Sequence, residues 1–262
     1  MKKFIFFPVL LILILTGSIF SQPVPGEYKK IDYIRVGPEQ LASFVDQAND
    51  ELRAVYQQLV DGEELNDWRL YYVRYPGGET SSYNFVSIVS ATDLDAFESI
   101  FSSVSVAPYV PSASISSIEA NHEAIVKTEL WKVQNALLDS TNDYPSSYMT
   151  MDYMDVAPNK NPDYLMLEDE VAKPIHSERM DKDIMAGWEV YSLLTPGGVG
   201  YGYNFATANF YDALEHIEYG FTNEIINQAI GANANIPELF ETIYATRDQV
   251  KVELWKLVTH TE

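Results

Sequence analysis

From Glu39 to Leu59 the apolar residues Leu41, Phe44, Val45, Ala48, Leu52, Val55 and Leu59 recur at helical spacing. That spacing predicts an amphipathic helix with one buried stripe and its Asp and Glu residues on the water side. Before it, residues 31–36 are β-branched and aromatic and stop at Gly37-Pro38, the pattern of a short strand. After it, residues 68–75 and 83–89 read as two strands around Pro76-Gly77-Gly78, whose glycines permit the backbone angles of a hairpin connection. Residues 93–101 open like a second helix, with Asp93 in a first turn where a carboxylate suits the helix dipole, and residues 125–133 read as a closing strand. The order is β-α-β-β-α-β, in which two helices cover one face of a four-stranded antiparallel sheet.

The same order is then written a second time. Asp32-Tyr33 returns as Asp152-Tyr153, Trp68 as Trp188, Pro76-Gly77-Gly78 as Pro196-Gly197-Gly198, and Tyr83-Asn84-Phe85 as Tyr203-Asn204-Phe205, all 120 positions apart. Residues 127–132 (KTELWK) return as 251–256 (KVELWK) at a spacing of 124, which places a small insertion late in the second copy. The first helix of copy two contains Pro174, which removes a helical hydrogen bond and predicts a kink there. Units therefore fall at 28–135 and 149–262, and residues 136–148, rich in Ser, Asp and Asn, read as the linker.

Paired ferredoxin-like units of this size, with strand edges rich in Tyr and Trp, resemble the dimeric α+β barrel superfamily, which includes NIPSNAP-like and antibiotic-biosynthesis-monooxygenase-like proteins. The resemblance lies in element order and size. It implies an α+β fold in which two tandem βαββαβ units pack sheet to sheet as a barrel within one chain, and an activity of the cofactor-poor oxygenase or isomerase type.

Strand alternation then assigns faces. Val126, Thr128, Leu130, Val250, Val252 and Leu254 are expected under the helices, and so are Val86, Ile88, Ala206, Ala208, Ile34, Val36, Met154 and Val156. The interior would receive Tyr33, Arg35, Tyr83, Phe85, Glu129, Trp131, Tyr153, Asp155, Tyr203, Phe205, Glu253 and Trp255. Of these, Tyr33, Tyr83, Phe85, Glu129, Trp131, Tyr153, Tyr203, Phe205, Glu253 and Trp255 form either a ligand chamber for a small aromatic or apolar molecule or simply the core between the halves. A filled barrel would leave a structural or protein-interaction role for the acidic outer surface.

Among titratable groups His176 stands out, because copy one has Tyr56 in its place. It reads as a general base with Glu168 or Glu178 as orienting partner, or as a polar residue on a solvated helix face. His122 and His216, in a loop and a helix, have no partner at ligand spacing, His260 lies in the C-terminal tail, and with no His-x-x-x-His the sequence supports no metal site. The run Gly197–Gly202 lacks dinucleotide spacing, and neither it nor any other motif points to a cofactor.

Composition adds location and exclusions. Met1-Lys2-Lys3, an apolar run over 4–15 and small residues through Ser21 match a cleaved secretory signal peptide at 1–21, predicting a periplasmic or extracellular protein with no membrane span after cleavage. The formal charge is -21 and there is no cysteine. Such a surface repels phosphate backbones and argues against nucleic-acid partners, and the fold must stand on its apolar core without disulfides.

Overall fold

The computed structural model describes residues 26–77, 82–100, 124–138, 145–231 and 235–262. The segment read as a signal peptide, His122 and residues 139–144 of the joining stretch lie outside the described residues.

Eight strands close into one antiparallel barrel: β1 (Tyr28–Ile34), β2 (Asp67–Arg74), β3 (Phe85–Ala91), β4 (Ile125–Leu138), β5 (Tyr148–Val156), β6 (Gly187–Thr195), β7 (Phe205–Tyr211) and β8 (Arg247–His260). The order around the barrel is β1-β3-β2-β8-β5-β7-β6-β4. Cutting it at the β2–β8 and β4–β6 seams yields the sheets β4-β1-β3-β2 and β8-β5-β7-β6, one ferredoxin-like sheet per copy. The closing strands make the barrel because they are 14 residues long, twice the length of β1. The first part of β4 pairs with β1 of its own copy, and its remainder, from Leu130 to Leu138, pairs with β6 of the other. In the same way β8 serves β5 and then β2. Ala136, Leu137 and Leu138, expected in the linker, are thus the end of β4, held by Glu189, Trp188 and Gly187. Hydrogen bonds to the second copy extend the strand where local composition suggested a loop.

Helix α1 spans 38–61 and its counterpart α3 spans 158–181. Each contains a single π-helical turn at the same place, Ala48–Leu52 and Glu168–Ala172. The irregularity is therefore shared, and Pro174 is not its cause: it sits in the first turn of the segment that follows, where its missing N–H costs little. Copy one also carries the short α2 (Ala96–Ile100). In copy two, α4 (Asn223–Ile230) and α5 (Ile236–Thr246) occupy the stretch where the spacing grows from 120 to 124.

Three apolar clusters among the described residues involve the sheet, and a fourth joins Ile175 of α3 to Ile225 and Ile226 of α4. One of the three lies inside the barrel and includes Tyr33, Val86, Ile88, Trp131, Tyr153, Ala206, Ala208 and Trp255. The other two lie between the outer sheet face and the helices of each copy. Ile34, Val36, Met154 and Val156 face the helices as the alternation predicts. The third strands do not follow it: Val86, Ile88, Ala206 and Ala208 are inside the barrel, whereas Phe85 packs on Phe44 and Phe205 on Tyr164 beneath the helices. Asn84 causes the inversion. Its side chain accepts from the Val36 N–H and donates to the Val36 carbonyl, both at 2.9 Å, while its backbone bonds Ile34 and Val73. Asn204 clasps Val156 identically, at 2.9 and 2.7 Å. This extra residue shifts the phase by one, so Tyr83 and Val86 both point inward. Replacing Asn84 with alanine leaves two backbone groups of Val36 unpaired, and the expected cost is about 1–3 kcal/mol in urea unfolding. An unchanged midpoint would show that the clasp is dispensable.

The outer face of the closing strands is also less covered than expected. Val126, Val250 and Val252 are exposed rather than packed under helices, because α1 and α3 lie over the other strands, and Arg35 and Asp155 are exposed at the ends of β1 and β5.

Candidate functional site

Two regions gather the predicted site residues. The first is the barrel interior near one end. Glu129 is fully buried and accepts hydrogen bonds from the hydroxyls of Tyr33 (2.6 Å), Tyr201 and Tyr203, from Lys127 Nζ (2.9 Å) and from Trp131 Nε1 (3.2 Å). Glu253 accepts from the Tyr83 hydroxyl at 2.7 Å, from Tyr153 at 3.3 Å and pairs with Lys251 at 2.9 Å. Each glutamate is therefore held by a tyrosine of the other copy, Glu129 by Tyr203 and Glu253 by Tyr83. The pseudo-twofold axis runs between the hydroxyls of Tyr33 and Tyr153, 2.9 Å apart. Burial alone would raise the Glu129 carboxyl, but Lys127 and the three tyrosine hydroxyls outweigh it and hold it below the usual range.

These side chains pack closely on one another. Trp131 stacks parallel to Tyr203 with centroids 6.1 Å apart, Tyr33 lies edge-on to Tyr83 at 4.7 Å, and Trp131 and Trp255 are fully buried. At the other end of the barrel, the space among Lys29, Asp67, Arg69, Tyr71 and Glu189 is about 10 Å³, room for one water at most. Tyr33, Tyr83, Glu129, Trp131, Tyr153, Tyr203, Glu253 and Trp255 are brought together; all but Trp255 hydrogen-bond within the group, and Trp255 packs against Tyr33 and Tyr71. Phe85 and Phe205 are not part of this group.

The second region is a cavity of about 550 Å³ outside the barrel, between the sheet of copy two and helices α3, α4 and α5. Trp188, Thr207 and Met154 form its floor; Glu168, Ile175, His176 and Arg179 form one wall; Phe221, Ile226, Leu239, Phe240 and Tyr244 close the other. His176 is 4% exposed, so it is not on a solvated face. Its ring lies over Trp188 with centroids 5.3 Å apart, just as Tyr56 stacks on Trp68 at 4.6 Å in copy one. Arg179 Nη1 stands 3.2 Å from His176 Nδ1. A guanidinium can only donate, so Nδ1 is the acceptor and the proton of the neutral ring sits on Nε2. Burial, reinforced by the Arg179 charge, pushes the imidazole well below its ordinary value. His176 is thus a hydrogen-bond donor at Nε2, and its lone pair is already taken, which removes it as a general base.

Glu168 lies in the π turn and is 6% exposed. Burial pushes its carboxyl up to about 7, against the opposing pull of the Tyr164 hydroxyl and the Arg247 charge. Asp152 is pushed up to about 6, also mainly by burial. Glu178 instead pairs with Lys182 at 3.1 Å along the helix surface and does not line the cavity.

The duplication supplies an internal control. At the positions of Glu168, His176, Arg179, Asn209 and Tyr211, copy one has Ala48, Tyr56, Leu59, Val89 and Ala91, all buried in its apolar core. Trp68 donates to Ser87 Oγ at 2.8 Å, whereas Trp188 Nε1 is buried with no partner. Asp152 Oδ1, Arg179 Nε and Arg247 Nε, on the same cavity, are likewise unpartnered. Polar residues at positions that are apolar in the sister copy were visible in the sequence once the copies were aligned. Their convergence on one cavity was not, because α4 and α5, distant in sequence from α3 and the sheet, close it.

Among solved structures, the chain is similar to a candidate monooxygenase of Fusobacterium nucleatum subsp. nucleatum, with a TM-score of 0.58 and 9% identity over 91% of this chain and 95% of that one. A candidate monooxygenase of Lactobacillus acidophilus gives a TM-score of 0.52 and 8% identity over 90% and 96% of the two chains. No protein-family model and no curated protein matches the sequence. The chain shares with these structures its fold, an α+β barrel closed by eight antiparallel strands. Here both halves of the barrel come from one polypeptide, related by the 120-residue repeat.

Proposed function

We propose that the protein binds a small, mostly apolar molecule in the second-copy cavity, between sheet and helices rather than between the two repeats. The observation that carries this reading is the divergence of the copies. Among the described residues, one unit packs its helices onto the sheet with apolar side chains, and the other keeps about 550 Å³ of space lined by rings, aliphatic side chains and buried polar groups. Leaving Trp188 Nε1 and Arg179 Nε unpaired in a buried space is costly unless something binds there. Mixed apolar walls with a few convergent polar atoms are the usual makeup of a small-molecule site. The structural neighbours include candidate monooxygenases, which is compatible with small-molecule chemistry. A second reading, proton transfer on the bound molecule, is favoured by Glu168, whose carboxyl near 7 can both give and take a proton at neutral pH. The N-terminal pattern at 1–21 supports export to the periplasm or outside the cell, which N-terminal sequencing of the mature protein tests.

Native mass spectrometry of protein purified from its own host tests the binding reading. A retained small molecule is expected in the wild type, and its loss in Val171→Phe, whose ring fills space at the cavity wall. The thermal midpoint of that variant should hold, since the added volume enters open space and not a packed core. Retention of the same molecule by both proteins would place it elsewhere and overturn the reading.

A further inference from the structure

The charge distribution within the cavity bears on what it holds. Carboxylates outnumber basic residues in this chain, 38 against 17. Even so, Arg179, only 3% exposed, has no carboxylate within salt-bridge distance among the described residues. Its neighbours are the His176 ring nitrogen and the Tyr211 hydroxyl (3.3 Å), together with the faces of Tyr211 and Phe221. None of these neutralises it. Copy one, with Leu59 at this position, shows that the helix and sheet pack without a charge there. Asp152 feels the Arg179 charge but lies beyond salt-bridge distance, and a buried guanidinium with no carboxylate in contact is expensive and persists where a ligand supplies the anion.

Three donors stand together at that end of the cavity. Arg179 Nε and Trp188 Nε1 are buried and unpartnered, and His176, between them, carries its free proton on Nε2. We infer that the cavity takes an amphipathic carboxylic acid, with its carboxylate on Arg179 and the N–H groups of His176 and Trp188, and its apolar body along Phe221, Ile226, Leu239 and Phe240. This rests on the binding reading above and names the class of molecule. Charge-assisted bonds from a guanidinium to a carboxylate are the strongest hydrogen bonds such a site can offer, and a neutral head group gains less from the same donors. Asp152 and Glu168 would oppose an anion if ionised, but burial keeps both towards their neutral, proton-donating forms at mildly acid pH.

Titration calorimetry at pH 6 with two matched pairs, decanoate with decan-1-ol and 2-naphthoate with 2-naphthylmethanol, tests the inference. In at least one pair the acid is expected to bind 10-fold or more tightly than its alcohol. Arg179→Leu, which installs the residue of copy one, should bring the two within about 3-fold of each other by removing the charge-assisted bonds. Its thermal midpoint should be at least that of the wild type, and Arg179→Gln provides a polar variant of similar reach if the leucine disturbs folding. Equal binding of acid and alcohol, with both lost in Val171→Phe, would overturn the head-group assignment and leave the cavity reading standing. Failure of both acids to bind overturns the inference outright. Binding that neither Arg179→Leu nor Val171→Phe alters would sink the cavity reading as well.

Discussion

Replacing Glu129 with alanine is expected to destabilise the protein by about 3–5 kcal/mol, the penalty for removing one partner of a buried charge network. The side chain has no exposure and collects five donors: three tyrosine hydroxyls, an indole N–H and the Lys127 ammonium. Alanine leaves these groups facing one another in a space water does not readily enter, with Lys127 lacking its counter-ion. The loss crosses the seam between the copies, because Tyr201 and Tyr203 belong to the second unit. Glu253→Ala should cost less, since Glu253 is held by two tyrosines and Lys251, whose side chain is 44% exposed. Urea unfolding followed by tryptophan fluorescence measures both. Should Glu129→Ala lie within about 1 kcal/mol of the wild type, the tyrosine–glutamate network is not what joins the halves.

A second large effect concerns pH. Glu168 has an ordinary value of 4.5 and is pushed up to about 7 in the folded protein. Between these values the unfolded chain has released the proton while the folded chain still holds it. Stability from this group is therefore fully present below about pH 4.5 and is lost as pH rises through 7. At about 1.4 kcal/mol per unit the loss is on the order of 3 kcal/mol. The groups facing Glu168 are Tyr164 on its own helix, Asp152 on β5 and Arg247 on β8. Asp152, raised to about 6, moves stability in the same direction over a slightly lower range. Glu168→Gln cannot ionise, so its unfolding free energy should fall less between pH 5 and pH 8 than that of the wild type. Parallel pH profiles for the two proteins would mean that Glu168 is ionised in the folded state throughout. A bound carboxylic acid would steepen the wild-type decline, because ionised Glu168 and Asp152 repel it.

How much of this could be read in advance differs between the two regions. Alternation alone places Glu129, Trp131, Tyr33, Tyr153, Tyr83 and Tyr203 inside the barrel. The alternation failed at Phe85 and Phe205, since a side-chain clasp at Asn84 and Asn204 inserts one residue into the phase. An asparagine in an otherwise β-forming run was the available signal. For His176 the choice between a base and a solvated residue turned on burial and on the Arg179 contact, neither of which local spacing contains. The π turns at Ala48 and Glu168 arise in both copies from different residues, so composition offered no guide to them.

The sequence alone determined the duplication, the βαββαβ order of each unit and most of the inward-facing residues. These depend on periodicity within short segments, where neighbouring side chains take opposite or helical positions by backbone geometry. The tertiary structure alone decided how the tyrosines and glutamates bond inside the barrel and that a cavity opens outside it in copy two. Both follow from residues far apart in the chain: 14-residue strands crossing to the other copy, and α4 and α5 folding back over Trp188. Packing at such contacts depends on volume and on pairing of polar groups in three dimensions, and no local pattern encodes either one.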